Sequence, residues 1–330
     1  MSLQETDDSA QAVTSGLARY RSSMFARTEV GIALVILALT IAISIINPAF
    51  LTTANIFNLL RAMAITGLLA VGMTFVLVSG ELDLAVGSTL ALSAVGAVML
   101  SAVMWWPLAA LVAMLIGSLV NYVSGVISTR LAISSFIVTL GMLSVARGLA
   151  LLFSGGMPQK GLGQLTFLGQ GTIGPVPVQV VVLFVVALGA HLILTRTVFG
   201  EQVHAVGDNS EAARLSGIPV AKVKNICFVF LGALCGLAGL IRSAQLGVAE
   251  PNAAIGIELD VIAAVVIGGA SLFGGRGTVL GAILGALLLA VLRNAFVLLQ
   301  LSNFLQVVSI GVVIILATIF DRFRSKGESR

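Results

Sequence analysis

Four carboxylates stand in paired strings within a chain of which only 10% is charged: Glu81 and Asp83 in Gly80-Glu81-Leu82-Asp83-Leu84-Ala85-Val86-Gly87, and Glu258 and Asp260 in Glu258-Leu259-Asp260-Val261. Both strings fall where an apolar helix is expected to begin. A carboxylate there can cap free backbone N–H groups and is favoured by the helix macrodipole, or it can meet a substrate or coupling ion. The two uses are compatible, and the sequence leaves both open. Gly80, Gly87, Gly268 and Gly269 would let backbone approach backbone or a ligand, and together with Ser88 and the four carboxylates they form a candidate path-lining set. Ser79, Thr89 and Ser93 would add hydroxyl groups. Acid–base catalysis is not indicated, because His191 and His204 are isolated from other titratable groups. Cys227 and Cys235 stand about 12 Å apart along one predicted helix, too far to pair, and no ligand cluster for a metal accompanies them. Gly274, Gly275 and Gly277 around Arg276 resemble a phosphate loop only superficially, since no Gly-Lys-Ser/Thr follows.

The elements that must position these residues follow from composition. Hydrophobic residues make up 58% of the 330, charged residues 10%, and mean hydropathy is +1.10. A water-soluble domain of that composition would expose a large apolar surface, so the expected solvent is a lipid bilayer. Apolar runs of about 20 residues recur between short polar breaks, the length a helix needs to cross roughly 30 Å of hydrocarbon. Period-2 alternation is missing, which argues against a barrel. The expected fold class is an all-α polytopic membrane protein of about ten transmembrane helices.

Ten spans are expected, at about 30–46, 62–79, 84–104, 107–128, 134–153, 176–195, 224–245, 258–273, 278–296 and 303–320. The single membrane domain runs over 30–320, between polar tails at 1–29 and 321–330. A glycine-rich external loop is expected at about 154–175 and a polar internal one at about 197–223. Arg19, Arg21, Arg27, Arg130, Arg196, Arg214, Lys222, Lys224 and Arg276 then share the cytoplasmic side with the basic C-terminal tail, whereas Lys160 is external. This positive-inside pattern implies an even number of crossings with both termini in the cytoplasm. No cleavable signal precedes the first apolar run, which is expected to act as signal and anchor together. The formal charge of +4 comes from these flanks, and no basic face interleaved with aromatics points to nucleic acid.

The two carboxylate strings are five spans apart, an odd offset that places the copies on opposite sides of the membrane, as an inverted repeat of the second to fifth with the seventh to tenth spans would. The short eighth span reads as an interrupted helix. Arg61, Arg147, Arg242 and Arg293 fall toward the external ends of apolar spans, either snorkelling to the interface or forming a rim that meets acidic groups of a partner. Gly232 with Gly236, and Gly277, Gly281 and Gly285, leave helix faces bare for close packing. In the internal loop, Asp208, Asn209 or Ser210 can cap a short helix over Glu211–Leu215 that Gly217 closes.

Several of these strings carry a resemblance. Phe50-Leu51-Thr52-Thr53-Ala54-Asn55-Ile56, Ala70-Val71-Gly72-Met73-Thr74, Glu81 to Ser88, Thr139-Leu140-Gly141-Met142, Gly256 to Gly269 and Gly274 to Gly277 resemble, in the same order, the permease subunit of ribose-type ABC importers. The resemblance implies a type II importer-like, homodimeric permease of ten helices in the bacterial inner membrane. It also implies a cytoplasmic ABC ATPase and a periplasmic sugar-binding protein as partners, ATP use confined to the ATPase, and no cofactor or catalysis in this chain. Gly207, Glu211, Ala212, Ala213, Leu215, Gly217 and Ile218 would form the ATPase-coupling loop, which departs from some importer classes in having Pro219 directly after Ile218. Many relatives have Gly and Ser at Glu81 and Ala85, so Glu81 is an extra carboxylate that either alters substrate preference or caps the helix. The competing expectation is an ion-coupled secondary transporter in which Asp83 or Asp260 takes up a proton or sodium ion.

Overall fold

The computed structural model describes residues 29–101 and 105–302, together with residues 304–306, 308, 309, 311, 312 and 315. The two polar tails and most of the span expected at 303–320 therefore lie outside the described residues, apart from Glu29. Helix α1 (Glu29–Ile46) leads through a 3-10 turn to α2 (Thr53–Val78), and then come α3 (Val86–Ser101), α4 (Trp106–Leu131) and α5 (Ser135–Ser154). A short helix α6 (Thr166–Gln170) and a hairpin of β1 (Thr172–Ile173) and β2 (Val176–Pro177) precede α7 (Val178–Arg196). After α8 (Val198–Asp208) and α9 (Ser210–Leu215) come α10 (Val220–Leu246), α11 (Ile257–Ile267) and α12 (Val279–Leu298). Seven of the described helices are long and apolar enough to cross a membrane.

Burial separates a core from a lipid-facing shell. Helices α2 and α10 are apolar on nearly every side and are largely buried, as a helix surrounded by other helices must be. Around them, α4, α5 and α7 expose Leu111, Leu115, Leu119, Ile137, Leu140, Phe184 and Leu188, side chains that hydrocarbon solvates at no cost.

The packing is crossed. Helix α2 lies against α11 and α12 of the second half, while α10 lies against α3 and α4 of the first; within each half α3 packs on α4 and α11 on α12. This is the pattern expected of an inverted repeat. Gly232 and Gly236 meet Gly117 and Ala113 of α4, and Gly281 and Gly285 meet Gly268 and Ala264 of α11, so both bare faces serve contacts inside the subunit.

Element boundaries correct the expectations in three places. The span expected from residue 62 begins at Thr53, because Thr52 accepts the Asn55 N–H and caps the helix there. The third helix starts at Val86 and the eighth span stops as a helix at Ile267, so α11 has 11 residues and covers only about 16 Å, half of a bilayer core. Neither long loop is a plain connector. Residues 155–177 fold onto the end of α10, where Gln159 and Ala249 exchange backbone hydrogen bonds of 2.9 Å and Gln170 donates to the Ala244 carbonyl. The 197–223 stretch holds α8 and α9. These two loops mark the ends of the bundle, here the hairpin end and the α8–α9 end.

A Cβ on Gly232 would collide with the Gly117 carbonyl, whereas one on Gly148 meets nothing within 4 Å. Gly232→Leu is therefore expected to destabilise the purified chain by about 1–3 kcal/mol or more, read as a lowered unfolding midpoint. Gly148→Leu should leave the midpoint unchanged.

Candidate functional site

Helix α2 ends at Val78, and Gly80, at φ +80°, turns the chain back into the protein. The Glu81 N–H still bonds the Val76 carbonyl of α2 at 3.0 Å, but beyond it residues 82–85 run without helical hydrogen bonds, so their backbone donors need other partners. Two hydroxyls on α5 supply them: Leu82 N–H bonds Ser135 Oγ at 3.0 Å and Leu84 N–H bonds Thr139 Oγ1 at 3.1 Å. Asp83 is fully buried beside them. Its Oδ1 accepts the Ala85 N–H at 2.7 Å and its Oδ2 accepts Asn121 Nδ2 at 2.8 Å, while Asn121 Oδ1 accepts the Thr89 hydroxyl. This network rivets the approach to α3 onto α4; Asp83 accepts the N–H of Ala85, the residue just before α3, and none of the N–H groups of that helix's first turn. Glu81 does not cap. It forms an ion pair of 2.6 Å with Lys224, one turn into α10, and both side chains are mostly buried. Sequence reasoning missed Lys224 and Asn121 as partners; the visible signal was a cation and an amide inside apolar helices.

The second string is placed differently. Gly256, in the left-handed region, precedes Ile257 directly, so Glu258 and Asp260 lie in the first turn of α11 rather than on an extended stretch before it. Arg147 holds the approach to that turn by donating from Nη1 to the Pro251 and Ala253 carbonyls. The starts of α3 and α11 meet, because Gly87 packs against the Ala254 carbonyl and the Glu258 carboxylate. Asp260 is ion-paired with Arg293 of α12 and lines a cavity of about 180 Å³ with Asn58, Thr66 and Asn294.

The candidate path-lining residues thus do not fall on one surface. Gly80 and Glu81 open on a cleft of about 860 Å³ at the α8–α9 end, and Asp260 on the smaller cavity toward the hairpin end. Asp83, Ser88, Ser79, Thr89 and Ser93 are buried inside the subunit, and Gly268 packs on Gly281, with Gly269 beside it in the turn that ends α11. Of the four outward arginines, Arg147 and Arg293 are held by protein groups rather than extended to an interface.

The internal segment is built as its residue types dictate. Asn209 Oδ1 accepts the N–H groups of Glu211 and Ala212 and caps α9. At the other end Gly217 N–H bonds the Arg214 carbonyl and Ile218 N–H the Ala213 carbonyl, a Schellman closure that requires φ +84° at Gly217. Ala213 is the buried anchor. Glu211, Ala212 and Leu215 are exposed, Leu215 at 77%. Glu211 pairs with Arg214 at 2.7 Å, and that hydrogen bond holds the carboxyl below and the guanidinium above its ordinary pKa. Gly207, at the end of α8, fits where no side chain could: a Cβ there would strike the Val78 carbonyl, which already accepts the Gly275 N–H at 2.9 Å. One junction therefore joins α8, the end of α2 and the turn before α12.

Comparison with known proteins adds a family. Residues 55–318 match the family described as branched-chain amino acid transport system / permease component. A ribose import permease protein RbsC of Bacillus subtilis is 40% identical over 291 residues, 87% of this chain and 90% of that protein. The Escherichia coli K12 ribose import permease protein RbsC is 38% identical over 292 residues, 87% and 91% of the two chains. The L-arabinose transport system permease protein AraH of E. coli K12 is 36% identical over 325 residues, 96% and 98%. No solved structure matches.

Removing one partner of the mostly buried Glu81–Lys224 pair strands the other charge. Lys224→Met is expected to cost about 3–5 kcal/mol, and adding Glu81→Gln should restore most of it. A double-mutant cycle on unfolding midpoints checks this; additive losses would contradict the pair.

Proposed function

We propose, from the premise that this chain belongs to the branched-chain amino acid transport system permease family, that it is the membrane-spanning subunit of an ABC importer for a monosaccharide or related polyol. The observation that carries the reading is the handle at α9. It is a capped, glycine-closed helix that presents Glu211, Ala212 and Leu215 outward and is tied through Gly207 to the ends of α2 and the 274–275 turn. An ATPase that gripped it would move both halves of the bundle. ATP binding by that partner closes it, α9 follows, and two permease copies rock so that a neutral sugar handed over by a periplasmic binding protein passes inward. The sugar names of the similar permeases support the substrate class. In this reading the bilayer is the bacterial inner membrane, both termini are cytoplasmic, and ATP is used by the partner while this chain performs no catalysis.

An ion-coupled transporter is the less favoured reading. Asp83 has both oxygens engaged and Asp260 is ion-paired, so neither stands as a free carboxylate for a proton or sodium ion.

Gly217→Val forces a β-branched residue into the left-handed region, at about 1–2 kcal/mol, and undoes the closure of α9. Expected are folded permease in the membrane and loss of ATPase co-purification; normal co-purification with normal uptake would sink the coupling role. Reconstituted alone in liposomes, the wild-type chain should move no sugar against a gradient, even with an ion gradient imposed.

A further inference from the structure

Between α2 and α12, Asp260 of α11 lines a cavity of about 180 Å³. Asn58, Ala62 and Thr66 recur one turn apart and share the α2 wall, and Arg293 and Asn294 stand on the α12 wall. Both helices are long and apolar enough to cross a membrane. Hydrocarbon solvates neither an ion pair nor a hydroxyl, so polar groups gathered on one space in such helices call for a polar occupant rather than a lipid chain.

The protein itself uses only part of that lining. Asn294 is spent on Asn55, the two exchanging amide hydrogen bonds of 2.9 and 2.8 Å. The ion pair joins Arg293 Nη2 to Asp260 Oδ2. Among the described residues, Asp260 Oδ1, the Thr66 hydroxyl and the exposed Asn58 amide take part in no hydrogen bond, and Arg293 Nε is buried without a partner, so the fold does not fully satisfy the guanidinium. What remains is an acceptor, a hydroxyl and an amide that both donate and accept, and a guanidinium that donates, with the charges of Asp260 and Arg293 cancelling. Such a set suits a neutral ligand with several hydroxyl groups. A paired carboxylate still accepts O–H donors, and Met63 and Leu289 in the same lining offer apolar surface to C–H faces. The volume is the liquid share of about six waters, the scale of one monosaccharide.

We propose that this cavity is a subsite for one monosaccharide or polyol, held within a single subunit by Asp260, Arg293, Thr66 and Asn58. The proposal rests on the importer reading and names where along the chain the sugar halts. Asp260 and Arg293 then have a second use beside clamping α11 to α12.

The test is saturation-transfer NMR on the full chain in lipid nanodiscs, without ATPase or binding protein, against D-ribose, L-arabinose, D-galactose, D-glucose and myo-inositol. Saturable transfer to at least one of them is expected. Thr66→Val, which keeps the shape and removes the hydroxyl, should weaken that sugar about fivefold, the worth of one hydrogen bond, and Thr66→Ser should recover it. Ala62→Phe, at an exposed position, should fill the cavity and abolish binding with the unfolding midpoint unchanged; should that variant fail to fold, Thr66→Val decides. No saturable transfer to any of the five, or variant responses like wild type, would overturn the subsite. Co-purification with the ATPase reads the importer role separately: a chain that holds the ATPase but binds no sugar loses only the subsite, and one that binds sugar but engages no ATPase loses only the importer reading.

Discussion

Inside hydrocarbon, a backbone group released from a helix has to find another partner within the protein, and the interrupted helices of this chain depend on that constraint being met. The stretch between α2 and α3 shows how. Its N–H groups turn to the hydroxyls of Ser135 and Thr139, its one fully buried carboxylate binds Ala85 and Asn121, and the Val78 carbonyl takes the Gly275 N–H. In the second half a cation does the corresponding work, Arg147 bonding two carbonyls just before α11. Small polar side chains on α5 are therefore structural requirements of a segment far from them in sequence.

Charge follows the same economy. Asp260 meets Arg293 and Glu81 meets Lys224, each pair mostly shielded from solvent, and each lies in a cavity that opens toward a different end of the bundle. The carboxylates of the two similar strings thus serve different uses. Asp83 fastens one helix to another, Glu81 and Asp260 clamp neighbouring helices, and Glu258 lies where the two interrupted helices touch.

Much of this was legible in the residues. Apolar run length located the spans, and glycine spacing located the close faces of α10 and α12. The run Asn209 to Gly217 announced a capped, closed helix because each end uses a residue type that few others can replace. What stayed hidden was long-range. Nothing local to Glu81 says that its partner is 143 positions away, and the echo of four residues could not reveal that one copy is extended and the other helical. That difference turns on where the left-handed glycine falls: Gly80 leaves five residues before its helix starts, and Gly256 leaves none. The folded character of the 155–177 loop was equally invisible, since it rests on contacts with residues 244–249.

The crossed packing bears on how the molecule is made. Because α2 is sheltered by α11 and α12, and α3 and α4 by α10, the amino-terminal half emerges from the ribosome before the helices that complete its interior exist. Its early helices can pack on one another, α3 on α4 and α5, but lipid stands in for α10, α11 and α12 until those are made. Assembly of the interior is therefore a late, post-insertion event, and a chain truncated before α10 would leave its first half without a core to join.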